Sequence, residues 1–148
     1  GKALASALAV NSVLTFIDLS WNDLGSEGGV AIADALKLNA VLKSINLSYN
    51  NLCGIDYLSG QGTYDASGIE ALASALAGSA VLKSIDLSVN SLDAEAGKAL
   101  ASALEVNAVL TNLNLANNML GPSGVSEIAN ALKKNTVLTD LNLANNSR

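Results

Sequence analysis

Apolar residues along this chain keep two alternating rhythms. Around Leu19, Leu47, Leu87, Leu115 and Leu143 they fall on every second position, the spacing of a strand with one buried face. Between these stretches they fall at i, i+3 and i+4, as in Leu100, Ala103 and Leu104, which sets them along one side of a helix. The pattern predicts short strands and amphipathic helices in strict alternation. The strand text itself repeats: "LTFIDLSWNDL" from Leu14 returns as "LKSINLSYNNL" from Leu42, "LKSIDLSVNSL" from Leu82, "LTNLNLANNML" from Leu110 and "LTDLNLANNSR" from Leu138. Each copy reads L-x-x-[L/I]-x-L-x-x-N-x-L, apart from the last, which ends in Arg148. The helical text repeats in step, as "LASALAVNSVL" at 4–14, "IADALKLNAVL" at 32–42, "LASALAGSAVL" at 72–82, "LASALEVNAVL" at 100–110 and "IANALKKNTVL" at 128–138.

Strand then helix, repeated in one direction, gives a parallel sheet with crossover helices. A strand is narrower than a helix, so stacked repeats curve with the strands inside, and the small alanines let neighbouring helices sit close. Five copies of this double motif resemble the leucine-rich repeat family and, in repeat length and Ala-Leu helix pattern, its ribonuclease-inhibitor-like branch. The resemblance covers the chain apart from one insert. It implies an α/β solenoid over residues 1–148, with a parallel sheet on the concave face, helices on the convex face, and strand motifs starting at 14, 42, 82, 110 and 138. It also implies a structural role for the asparagine column Asn22, Asn50, Asn90, Asn118 and Asn146, whose amides can satisfy backbone groups where each chain leaves its strand. The chain opens partway through a repeat, Gly1 aligning with Gly97, and closes just after the fifth strand motif. With no divergent or Cys-rich cap at either end, it is expected to be a segment of a longer array rather than a designed consensus. Such ends expose strand edges and invite end-to-end self-association.

Composition narrows the function. The chain is 50% hydrophobic but only 3% aromatic, so the core must be Leu, Ala, Val and Ile. No apolar run approaches the ~20 residues that cross a bilayer, which argues against a membrane role. A net charge of -5, with eight scattered basic residues, argues against nucleic acid. Cys53 is the sole cysteine, which excludes an internal disulfide and favours an intracellular, cytoplasmic setting. There is no histidine, the usual general base and zinc ligand. Cys53 therefore reads as a partly buried turn residue rather than a nucleophile. "GIDYLSGQGTYD" lacks the lysine of a phosphate loop, and the spacing of Asp56 and Asp65 fits no calcium loop. The expectation is a protein without catalytic residues, metal or cofactor.

What remains is surface. Four of the strand-side columns run Thr15, Lys43, Lys83, Thr111, Thr139; then Phe16, Ser44, Ser84, Asn112, Asp140; then Asp18, Asn46, Asp86, Asn114, Asn142; then Trp21, Tyr49, Val89, Asn117, Asn145. Read as strand residues, they face the concave side. Phe16, Trp21 and Tyr49 fall there in the first two repeats, and later repeats carry Asn and Thr. The repeats return every 28 residues except once, where the return is delayed to 40 by an insert at about 53–64. Tyr57 and Tyr64 lie in or beside it, so every aromatic of the chain gathers near one end. The insert has two readings: a loop folded back on its own repeat, or one wall of a binding site. Exposed aromatics are enriched in interaction hot spots. The residues expected to meet a protein or peptide partner are Trp21 and Tyr49 as anchors, Phe16 at the edge, Asn46, and Tyr57 and Tyr64 from the insert. Asp18 and Asp86 favour a basic partner segment. The alternative is an architectural spacer or assembly subunit, or the regulatory ligand-sensing arm of a larger protein.

Overall fold

Each strand motif condenses to three extended residues and each helical motif to about two and a half to four turns. The computed structural model describes residues 1–147. In chain order these form α1 (Lys2–Val10), β1 (Phe16–Asp18), α2 (Gly25–Leu38), β2 (Ser44–Asn46), α3 (Ser67–Gly78), β3 (Ser84–Asp86), α4 (Ala94–Val106), β4 (Asn112–Asn114), α5 (Gly121–Leu132) and β5 (Asp140–Asn142). The five strands make one parallel sheet in the order β1-β2-β3-β4-β5, each helix crossing back to start the next strand beside the last. This is the α/β leucine-rich repeat solenoid.

Pairing sets Phe16, Ser44, Ser84, Asn112 and Asp140 side by side, and likewise Asp18, Asn46, Asp86, Asn114 and Asn142. The central residues Ile45, Ile85 and Leu113 point the other way and are buried with Leu47, Leu87 and Leu115 against the helices. The core is a continuous aliphatic stack in which α2, α3 and α4 supply Ile32, Leu72 and Leu100. Alanine is not what brings the helices closest. Between α2 and α3, Gly29 faces Gly68, and a Cβ on Gly29 would lie 3.0 Å from the Gly68 Cα; Gly97 and Gly124 meet in the same way between α4 and α5.

Two asparagine ladders tie the repeats. At the strand exits, Asn90 Nδ2 donates to the carbonyl of Leu47 in the preceding repeat and to those of Leu87 and Ser88 in its own. Its Oδ1 accepts from the backbone of Asn50 and Leu52. Asn50, Asn118 and Asn146 reach back to the preceding repeat in the same way, and Asn22 takes the first rung. At the helix exits Asn39, Asn107 and Asn135 form a second ladder, donating to Leu8, Leu76 and Leu104 carbonyls. Each caps its own turn through Oδ1. In the third repeat Ser79 holds this place. Its hydroxyl accepts from Val81 and Leu82, but it is too short to reach back.

Candidate functional site

The residues just past each strand decide what the rim presents. Trp21, Tyr49, Val89, Asn117 and Asn145 all sit at positive φ, between 54° and 60°. The ladder asparagine that follows each of these turns fixes the chain there. Sequence columns place Trp21 and Tyr49 on the concave strand face; the structure instead puts them in the turn leaving it. The strands end at Asp18 and Asn46, and the left-handed residue swings the side chain onto the strand-exit rim. Left-handed backbone is unfavourable for bulky L-residues, so two aromatics here are held against local preference.

They hold each other. The Trp21 and Tyr49 rings stack with centroids 3.7 Å apart and planes 13° from parallel. Trp21 remains 64% exposed. The insert adds the third ring: Tyr57 meets Tyr49 edge to face, at 6.0 Å and 84°.

Tyr57 gets there because the insert is a small hairpin rather than an open loop. Asp65 donates its backbone N–H to Cys53, Asp56 donates to Gln61, and Ile55 bridges Gly62 in antiparallel fashion. The two limbs approach so closely that a side chain on Gly54 or Gly62, both at positive φ, would run into the backbone opposite. Asn51 joins hairpin to solenoid, accepting from the Tyr57 backbone at 3.3 Å and donating to Asp23 in the first repeat at 2.8 Å. Asp56 Oδ1 accepts from Ser59 N–H at 2.6 Å, and this bond holds its carboxyl below the usual range. Leu58 is left exposed at the tip.

Tyr64 turns elsewhere. Its hydroxyl donates to Asp93 Oδ1 at 2.6 Å, the carboxylate that also caps α4 through Ala96 N–H. Partial burial, and then the bond to Asp93, raise its phenol well above the ordinary value. Cys53, expected to be partly buried, is fully so, and that burial, with the charge of Asp93 second, pushes its thiol up to about 12. Tyr64 thus seats the hairpin stem. Phe16, although exposed, makes no aromatic contact among the described residues. It opens β1, the far end of the strand from Trp21.

The expected acidic contacts are occupied in turn closure. Asp18 Oδ1 accepts from Ser20 N–H at 2.9 Å and its hydroxyl at 2.6 Å; Asp86 does the same with Ser88, and Asn46 with Ser48. The hydroxyl and backbone bonds from Ser20 hold the Asp18 carboxyl low. The carboxylates actually beside the aromatics are Asp23 and Asp56. With Trp21, Tyr49, Tyr57 and Leu58 they line a hollow of about 180 Å³. Sequence reasoning passed over Asp23 because it follows the ladder asparagine and falls in none of the four strand-side columns. Its signal was its place, two residues after Trp21. The other insert carboxylate, Asp65, accepts from Ser26 and from Ser67 N–H, well apart from Asp56. Among the described residues, no three His, Cys, Asp or Glu side chains stand close enough to hold a metal ion, and no helix is long and apolar enough to cross a membrane.

The family model "Leucine Rich repeat" matches residues 10–33 and 106–129, the first and fourth strand motifs with their surroundings. No curated protein matches the chain by sequence. Among solved structures, actin-binding site 2 of leiomodin-1 superposes with a TM-score of 0.79 at 24% identity, over 94% of this chain and 76% of that one. The tropomodulin C-terminal domain from Caenorhabditis elegans gives 0.73 at 16%, over 96% and 81%. At such identities the likeness is one of fold, and it agrees with the repeat signature and the single parallel sheet. The chain has the leucine-rich repeat fold and carries the repeat signature at two of its strand motifs.

Proposed function

We propose that the chain is a non-catalytic protein-binding module that grips a partner segment at the strand-exit rim of its first two repeats, with the insert hairpin as a second wall. One observation carries this reading: the stacked Trp21–Tyr49 pair, held at left-handed backbone with Trp21 exposed, is joined edge-on by Tyr57 from the one insert that breaks the repeat spacing. A folding role alone gives no reason to bring three aromatics together at a water-facing edge. The rim offers ring faces, amides and carboxylates, and the chain has no histidine, a set suited to binding rather than to proton transfer. The turn-closing Asp18, Asn46 and Asp86 end their strands beside this rim and form the outer part of the surface, with Phe16 at the far end of β1; Tyr64 positions the hairpin.

One structural neighbour, from leiomodin-1, is itself an actin-binding site, which makes purified actin a defined first partner to test. A second reading, association of copies end to end, rests on Val10, Val13 and Leu14 standing exposed in the first repeat. The deciding experiment compares wild type with Trp21→Ala/Tyr49→Ala in actin co-sedimentation and in capture from native lysate, after circular dichroism and thermal melting of both. The rim reading expects a folded variant that loses a specific partner held by the wild type. Equal recovery of the same partners would put the interface elsewhere, and concentration-dependent sedimentation would then favour the ends.

A further inference from the structure

We propose that the hollow between the aromatic pair and the hairpin takes an arginine side chain of the partner; this rests on the rim being the binding site. At about 180 Å³ the hollow is smaller than the ~300–1,000 Å³ of typical small-molecule sites, and its size suits one inserted side chain. Its walls are of two kinds. Trp21, Tyr49 and Tyr57 supply ring faces and edges, which attract a cation through the quadrupole of the ring. Asp23 and Asp56 supply negative charge, one from the first repeat and one from the hairpin.

Both carboxylates keep capacity to spare. Asp23 Oδ1 accepts from Asn51 Nδ2, and Asp56 Oδ1 from Ser59 N–H, and these bonds fix both groups in place. Neither has a basic side chain as partner. The one ion pair among the described residues, Lys134 with Glu105, is on the helix side. On the strand side, Lys43 and Lys83 immediately precede β2 and β3 and so stand at the start of the strands, away from this rim. Among the described residues, the rim is thus an anionic, aromatic recess without a cation of its own. A guanidinium suits it better than an ammonium ion: it is planar, stacks on aromatic faces, and donates in its plane to more than one carboxylate.

Trp21 is the sole tryptophan, so its fluorescence reports this hollow alone. The test titrates the protein at low salt with the capped peptide Gly-Ser-Arg-Ser-Gly and with twins carrying lysine or uncharged citrulline in place of arginine. The expected result is a saturable change with the arginine peptide, weaker at least tenfold with citrulline and several-fold with lysine. Asp23→Asn/Asp56→Asn, which keeps both Oδ1 acceptors and therefore the fold, should lose about tenfold for the arginine peptide. No saturable change with arginine, or equal binding of the citrulline or lysine twin, overturns the inference. The same variant and Trp21→Ala/Tyr49→Ala, both tested against a partner that the wild type captures, separate the two levels. Retention by the carboxamide variant sinks the arginine reading and leaves the rim standing. Retention by the aromatic variant as well sinks both.

Discussion

The rim of this solenoid is built twice on one backbone and finished with different chemistry. At residues 21 and 49 φ is 60° and 56°; at 117 and 145 it is 57° in both. At the first end a tryptophan and a tyrosine stack at 3.7 Å. At the other, Asn145 donates its amide to Asn117 at 2.9 Å. Asparagine visits left-handed backbone at little cost, so the polar end agrees with its own turn. The aromatic end does not. Val89 between them is strained too, but it is only 3% exposed, and burial offsets the strain. Trp21 has no such burial, only its stack on Tyr49. The frame therefore tolerates any side chain that its hydrogen bonds do not involve. Where a residue defies the turn and is also left in water, the proposed reason lies outside folding.

Breaking the shared frame should have the largest effect. Asn90→Ala strips two carbonyl contacts within the repeat, one to the preceding repeat, and the acceptor for two buried N–H groups. A stability loss of about 3 kcal/mol is expected in urea unfolding, with both rims affected. A loss below about 1 kcal/mol would mean the ladder is not what holds the turns.

Exchanging the two ends sharpens the comparison next. Trp21→Asn/Tyr49→Asn converts the aromatic rim into the polar one. Lost stacking and relieved left-handed strain should nearly cancel, leaving the melting midpoint within the equivalent of about 1 kcal/mol. Partner binding should fall at least thirtyfold, about 2 kcal/mol. Unchanged binding would make the two ends functionally equal.

The third test loosens the hairpin. Tyr64→Phe removes the bond to Asp93 and should cost about 1.5 kcal/mol, with faster alkylation of Cys53 as its local readout. The buried thiol also sets a pH dependence. The folded protein keeps its proton up to about 12, whereas an unfolded chain releases it near the ordinary ~8.5. Between these values the native state binds more protons, so stability falls as pH rises from about 9 to about 12. Cys53→Ala should flatten part of that decline. A decline identical in the variant would show that the thiol is not its source.

The smallest effect is a gain. Ser79 has φ -73° and ψ 131°, close to the -73° and 129° of Asn107, so the backbone already suits asparagine. Ser79→Asn should reach the Leu36 carbonyl and add about 1 kcal/mol in thermal unfolding. No gain would mean that the spacing of the second and third repeats, unlike that of the others, does not admit the rung.

Much of the solenoid was legible because its signal repeats. Five copies of Leu and Ile at fixed offsets determine strand, helix and register, and neighbouring columns pair as the text aligns. The second asparagine ladder was equally visible, in the Asn of "KLNAVL" and "LEVNAVL", yet its partners are carbonyls of another repeat, which no single window displays. The site was harder. Nothing in twelve irregular residues says that Tyr57 folds back to Tyr49 while Tyr64 points to Asp93. That division depends on a hairpin whose close approach falls at Gly54 and Gly62. The rim position of Trp21 was hidden for another reason: an alternating pattern continues on paper past Asp18, where the backbone has already turned left-handed.

The hairpin leaves no trace in the sheet. β2 and β3 pair residue for residue as every other neighbour pair does, although 40 residues rather than 28 separate them. Its stem is tied at Cys53 and Asp65 before any residue of the tip is reached. In evolutionary terms this makes the strand exit a grafting point. A segment tied off at its base can be exchanged, lengthened or lost without renegotiating a single strand register. A repeat protein of this kind can thus acquire recognition one wall at a time, by local insertion, while its framework stays under unchanged selection.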